Sequence, residues 1–279
     1  MARPDPVKSK EFFPGVFSRH AEAYQERLEA IMARGEARGR MRVLELAAPR
    51  PGMRILDLAC GPGTLSRLLA EKVAPGGHVI GVDLAPGMIE LASAAGIANA
   101  DFEVMDIETL MFGDVTFDGA VCGHGLQFVP NLGRALSEAQ RVLKPGGGLA
   151  ASVPVPTVQE SAWILLYSVL DRWVPPRTEV VDQAPTREAL ANPVSLRQAA
   201  LDAGFSSANV EVIEEEVQWE SAEQLVSKFM SWWDCASRLE AVDSDKRKAM
   251  KQDAIGTLKL EHPGMISTIG RNHVLDARK

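Results

Sequence analysis

Cysteine is scarce in this chain: Cys60, Cys122 and Cys235 are the only three in 279 residues. Their spacing fits no metal-binding pattern, and they are too few for a disulfide framework. Cys60 and Cys122 fall at expected strand-to-turn junctions, where buried thiols are the simplest reading. No metal is expected. Positive charge is also short, with 30 Lys and Arg against 37 Asp and Glu, a net charge of −7. Phosphate binding needs a basic face, so nucleic acid is not expected as the main partner. No apolar run reaches the roughly 18 residues needed to cross a bilayer. Met1 to Pro14 is charged and contains proline, unlike a secretory leader, so a reduced, cytoplasmic protein is expected. Internal repeats and low-complexity tracts are lacking as well. Apolar residues are plentiful: at 46% of the chain they can bury one good core plus an elaboration.

The most informative stretch is Arg54-Ile55-Leu56-Asp57-Leu58-Ala59-Cys60-Gly61-Pro62-Gly63-Thr64. A short strand ends at an acid, a turn with two glycines follows, and a helical run extends from Leu65 to Val73. Such a turn lets a ligand approach bare backbone at a helix N-terminus. The run His78-Val79-Ile80-Gly81-Val82-Asp83 reads as a second strand that also ends in an acid, Asp83, twenty residues after Gly63. A carboxylate at that place can accept hydrogen bonds from both hydroxyls of a ribose. The pair points to a nucleoside-containing cofactor. The dinucleotide fingerprint G-x-G-x-x-G fails, because Ser66 stands where the third glycine belongs. A phosphate-cradling G-x-x-x-x-G-K-[ST] is missing too. What remains is acid-x-small-x-Gly-x-Gly, with Asp57 at the strand end.

This pattern resembles motif I of the class I S-adenosylmethionine-dependent methyltransferases, and later residues follow that family's order. Gly81 to Met88 is similar to the second motif, which implies Asp83 on the ribose, Met88 beside the adenine and Leu84 as a further cofactor contact. Phe102-Glu103-Val104-Met105-Asp106-Ile107-Glu108 is similar to the third strand and its loop. The resemblance implies that Asp106 bonds the adenine amino group, while Ile107 covers the ring. Phe117 to His124 reads as the fourth strand, and Arg141 to Leu149, with Lys144 to Gly148, as the turn into the fifth. The matching motifs cover about residues 52 to 155, and the resemblance is to the small-molecule branch with the ubiquinone and menaquinone C-methyltransferases. Ala59 departs from the glycine many members carry there. An N-terminal helix of the form Phe-x-x-x-Ala-x-x-Tyr closes over the cofactor in such proteins, and Phe17, Ala21 and Tyr24 match it.

Three regions are expected: a helical arm over residues 1–50, a cofactor-binding core over 51–155, and substrate-cap helices with the last strands over 156–279. Phe17, Ala21, Tyr24, Leu28 and Ile31 draw one apolar helical stripe in the arm. Strands and helices alternate from Pro51 to about Pro156, which implies a parallel sheet covered on both faces. A helix is expected around Ser161 to Trp173, another from Arg197 to Ala203, and a strand from Val210 to Trp219. Helices over Ala222 to Arg238 and about Ser244 to Leu260 follow, then an antiparallel strand from Asn272 to Ala277. The fold class is thus α/β, a Rossmann-like doubly wound sheet of seven strands with an antiparallel last strand.

All five tryptophans lie after residue 160. Trp163, Tyr167, Trp232 and Trp233 either pack a cap or line an apolar acceptor pocket, and the sequence leaves both readings open. His124, just past the fourth strand, is the leading candidate base, with a cofactor contact as its alternative. Gln127 is a candidate to hold the cofactor or orient the acceptor. His20 and Tyr24 lie four apart on an expected helix and share a face, so His20 is a second base candidate and Tyr24 a lid contact. The resulting expectation is methyl transfer from S-adenosylmethionine, leaving S-adenosylhomocysteine, to a small, apolar, aromatic metabolite. Attack by carbon, nitrogen or oxygen stays open, as does homo-oligomerisation. The alternative is a cyclase of the same fold that keeps the cofactor without transferring its methyl group.

Overall fold

The structure, a computed structural model, describes residues 7–155, 161–175 and 180–279. Its elements run α1 (Ser9–Arg19), α2 (Ala21–Ala33), α3 (Arg38–Ala47), β1 (Arg54–Leu58), α4 (Thr64–Val73), β2 (His78–Asp83), α5 (Pro86–Ala94), β3 (Ala100–Val104) and β4 (Phe117–Gly123). A single 3-10 turn, Leu126–Phe128, precedes α6 (Leu132–Val142) and β5 (Leu143–Val155). Then follow α7 (Ser161–Trp173), α8 (Ala184–Leu190), α9 (Pro193–Asp202), β6 (Ser207–Trp219), α10 (Ala222–Met230), α11 (Trp233–Leu239), α12 (Ser244–Glu261) and β7 (Ile266–Arg278).

The strands form one sheet in the order β3-β2-β1-β4-β5-β7-β6. From β3 to β5 every pairing is parallel. β6 and β7 run antiparallel: Arg271 Nε bonds Glu214 Oε1 at 2.9 Å, while the earlier Ser267 bonds the later Glu216 at 2.6 Å. A parallel strand is covered on both faces, so β1 reads as an apolar run rather than an alternation. Ile55 packs with Val79, Val121 and Val274 against Val43 of α3 and Leu69 of α4. Leu56 and Leu58 point the other way, into a cluster with Val82, Ala120 and residues of α6 and α9. Asp57 shares the side of Ile55 and therefore faces α4.

Two compact units divide the chain. The larger holds α1 to β5, α8, α9 and the adjoining parts of β6 and β7. The smaller contains α7, α10, α11, α12 and residues 214–219 and 266–271. Its own core gathers Leu166, Leu170, Trp219, Leu225, Phe229 and Leu258.

Several sequence expectations shift. The stripe from Phe17 to Ile31 does not run through one helix, because His20, at φ −112° and ψ 19°, separates α1 from α2. The turn expected at Lys144 to Gly148 lies inside β5, where residues 143–148 bulge against 117–119 of β4. The helix expected over Ala222 to Arg238 is broken. Ser231 closes α10 by bonding its Oγ to the Lys228 carbonyl at 2.8 Å, and Trp232 turns extended to stack on Trp163. The last strand is longer than Asn272 to Ala277, because it continues back to Ile266 beside β6.

Candidate cofactor site

From β1 the chain crosses through α4 to β2, and from β4 through α6 to β5 on the opposite side. Between β1 and β4 the winding reverses, and a crevice opens beyond the carboxyl ends of those strands. Residues 59–63 and 123–127 form its two lips. Left-handed backbone recurs on both: Ala59 has φ +53°, Gly61 +55°, Gly63 +78° and His124 +67°. The lips are pressed together, since a Cβ on Gly125 would lie 2.3 Å from the Ala59 Cβ.

The two glycines of the turn do different work. A Cβ on Gly61 would meet only a Tyr24 ring carbon at 3.9 Å, so its face is open. On Gly63 it would lie 3.2 Å from both the Ala92 Cβ and the Phe102 ring. Gly63 therefore lets α4 start close against α5 and β3, and the open approach expected of both glycines belongs to Gly61.

Three acids stand at or just beyond the carboxyl ends of β1, β2 and β3. Asp83 accepts the Gly61 N–H on Oδ2 and the Ala85 N–H on Oδ1, each at 2.9 Å. Burial raises its pKa against the opposing pull of the Ala85, Gly61 and Leu84 amides. Each carboxylate oxygen keeps a second lone pair for a further donor. Asp57 is buried and bonded to Ser66 Oγ at 2.6 Å, while its Oδ1 has no partner. Burial first, then the nearby Asp83 charge, pushes its pKa up to about 7. Asp106 accepts the Glu108 N–H at 2.9 Å and Lys10 Nζ at 2.6 Å. Leu84 precedes the start of α5; Met88 is buried with Ala21 and Ala85 against Phe17 and Tyr24, and Ile107 is buried in the main core.

On the other lip, Gln127 donates to the His124 carbonyl at 2.9 Å, and the His124 N–H donates to the Ser152 carbonyl at 3.0 Å. His124 Nε2, Gln127 Oε1 and Ser152 Oγ are buried without a protein partner. Burial first, then the Arg40 charge, holds the His124 pKa well below 6.5, against a hydrogen bond to Asn272. The imidazole is therefore neutral at physiological pH, not poised near its ordinary value. Arg40 of α3 donates to Tyr24 Oη at 3.1 Å and, among the described residues, forms no ion pair. Arg27 stacks over the Tyr24 ring at 4.9 Å. The aromatic side of Tyr24 continues through Phe17, at 5.9 Å, to Phe128, at 5.0 Å. His20 sits at the break before α2, so it does not share a continuous helical face with Tyr24.

Residues 55–147 match the family model described as a methyltransferase domain. The chain is 36% identical over 174 residues to 2-phytyl-1,4-naphtoquinone methyltransferase of Synechococcus elongatus, covering 58% of this chain and 75% of that protein. The chain belongs to the class I S-adenosylmethionine-dependent methyltransferases. A demethylmenaquinone methyltransferase of Symbiobacterium thermophilum is 36% identical over 150 residues, covering 52% of this chain and 59% of that protein. The chain thus spans less than two thirds of that relative's length. Nocamycin O-methyltransferase of Saccharothrix syringae is 29% identical over 238 residues, covering 80% and 84%. The crystal structure of the 4+2 cyclase SpnF shares the fold, with a TM-score of 0.56 at 18% identity, covering 100% of this chain and 98% of that one.

The crevice of this methyltransferase fits the family's cofactor. Buried polar atoms need partners, and Asp57 Oδ1, His124 Nε2 and Gln127 Oε1 lack them in the protein. Asp83 has lone pairs for ribose hydroxyls, and Arg40 offers a charge to a carboxylate. Sequence reasoning missed Arg40, Gly125 and Ser152. Arg40 is one of four closely spaced arginines, with Arg34, Arg38 and Arg42, and only the fold brings this one beside His124.

The four aromatics named from sequence all lie in the smaller unit. Trp163 and Trp232 stack at 5.4 Å with planes 16° apart, and Tyr167 meets Phe229 edge-on at 5.1 Å. Trp232 is 38% exposed, while Trp233 opens α11 half-buried. Among the described residues, no helix is long and apolar enough to cross a membrane, and no three His, Cys, Asp or Glu side chains are grouped to hold a metal.

Proposed function

We propose that the chain transfers the methyl group of S-adenosylmethionine to a small, apolar, quinone-like or aromatic acceptor. The observation that carries this reading is the Gly61–Asp83 hydrogen bond, which fixes an open glycine and a ribose acid at the winding reversal. Bound there, the cofactor supplies an electrophilic methyl group on a sulfonium, so positioning does most of the work. Asp83 holds the ribose, and Asp106 with Ile107 and Met88 the adenine. Arg40 and Asp57 take the charged ends of the methionine part, and Tyr24 closes over it from α2.

His124 Nε2 is the candidate proton acceptor, because a neutral imidazole can offer a lone pair. Its lowered pKa makes it a weak base, suited to an acceptor that is already acidic, such as a phenol or a quinol. Arg40 beside it favours the anion so formed. Gln127 holds the His124 backbone and so orients the ring's attachment. Trp163 and Trp232 are the candidate aromatic contacts for the acceptor, with Tyr167 and Trp233 beside them in the sequence of the same unit. The partner is a small molecule.

Incubation with isotopically labelled methyl donor and a panel of quinols, phenols and enols tests the proposal. A labelled acceptor with equimolar S-adenosylhomocysteine supports it. An altered acceptor with no label and no S-adenosylhomocysteine would instead favour a cyclase on this fold.

A further inference from the structure

Lys10, near the start of α1, was not singled out by any sequence motif, yet its ammonium bridges two acids of the loop after β3. Nζ lies 2.6 Å from Asp106 Oδ2 and 2.7 Å from Glu108 Oε2. We propose that Lys10 is the positioning residue for the adenine-binding acid, holding Asp106 aimed by bridging it to Glu108 beside it. This rests on the reading that Asp106 receives the adenine amino group.

Every other contact in the cluster is already committed. Asp106 Oδ1 takes the Glu108 N–H at 2.9 Å, and Glu108 Oε1 takes the Asn131 N–H at 2.8 Å, at the start of α6. Arg134 Nε donates to the Glu108 carbonyl at 2.8 Å. Each Asp106 oxygen thus has one partner and keeps a second lone pair for a ligand, and Lys10 is the cation that touches both acids. Without it, two carboxylates two residues apart face each other, and mutual repulsion turns Asp106 away from its place. An adenine amino group donates a hydrogen bond but brings no charge, so it cannot replace the ammonium. An ammonium has three donors, so Lys10 can serve both acids at once. Its helix is held at both ends: Ser9 N–H bonds Asp182 at 2.9 Å, and Ser18 Oγ accepts the Gly87 N–H of α5 at 3.2 Å. These contacts keep Lys10 on the loop without the acids having to do so alone.

Calorimetric titration of the full chain with S-adenosylhomocysteine and with adenosine tests this. Lys10→Met should weaken both by the same factor, about two- to fivefold, because the defect sits at the adenine end. Lys10→Arg should bind like the parent. Glu108→Gln added to Lys10→Met should recover most of the loss, since the repulsion is gone. Unchanged or tighter binding by Lys10→Met overturns the proposal, because the lysine would then be idle or competing with adenine. No recovery in the double variant also overturns it and leaves Lys10 as a mere anchor for α1. A parent chain that binds neither ligand overturns the cofactor reading itself, and the role of Lys10 with it.

Discussion

Gly61 donates its backbone N–H to Asp83 Oδ2 at 2.9 Å, so the turn after β1 and the acid ending β2 are one structure. Asp83→Ala therefore removes the ribose acceptor and loosens the turn together. Two charge-assisted hydrogen bonds of roughly 1.5–3 kcal/mol each set the scale. Affinity for S-adenosylhomocysteine should fall by about two orders of magnitude or more. Asp83→Asn keeps one carbonyl acceptor and should lose less. Calorimetry on both variants checks the order, and equal affinity for parent and Asp83→Ala would remove the ribose from Asp83.

The two glycines of the turn should fail in different ways. Gly61→Val places its branch into the open face near Tyr24, so the variant should fold but bind no cofactor. Its left-handed φ adds some strain. Gly63→Val drives a side chain into Phe102 and Ala92, and overpacking of this kind typically costs about 1–3 kcal/mol. Thermal melts and cofactor titrations on the two variants should separate. If Gly63→Val melts like the parent and Gly61→Val binds normally, the assignment of the two faces is reversed.

Asp57 makes a pH prediction with a definite sign. Its folded pKa, about 7, lies above the ordinary carboxylate value of 3.8, so the folded state holds the proton more tightly than the unfolded chain. The stability this group lends is present below pH 3.8 and is lost as pH rises toward 7. Asp57→Asn should therefore melt higher than the parent at pH 8, and the difference should shrink toward pH 4. Melting curves across that range check it. A variant less stable at pH 8 than at pH 4, relative to the parent, would mean the Ser66 contact outweighs the buried charge.

How much of this was legible beforehand follows from sequence distance. Asp57, Gly61 and Asp83 sit at the ends of short strands joined by one helix, and their spacing is itself the signal. Lys10 reaches the loop after β3, and Arg40, Gly125 and Ser152 meet the crevice, only because distant strands become neighbours or a helix folds back. The roles of Gly61 and Gly63 looked alike in sequence, and the difference lies in which face α5 and β3 cover. Broken helices were missed for a local reason. His20 and Ser231 interrupt runs whose apolar spacing continues across them, so periodicity alone carries the pattern past the break.

His124 gives the most mechanistic test. If its Nε2 accepts the proton, kcat/KM should fall on the acid side with a limb well below the ordinary histidine value of 6.5, because burial and Arg40 disfavour the charged ring. Arg40→Met removes the second of those causes and should move the limb upward. His124→Ala should abolish the limb and lower kcat at saturating cofactor by about 10²–10⁴-fold, the usual loss for a general base. A residue that only contacts the cofactor would instead raise KM for S-adenosylmethionine and leave kcat intact. Near-parental kcat in His124→Ala, with an unmoved limb in Arg40→Met, would show that the acceptor attacks without a base. Charge stabilisation by Arg40 would then be the activation that remains, and Arg40→Met should lower kcat most for the least acidic acceptors in the panel.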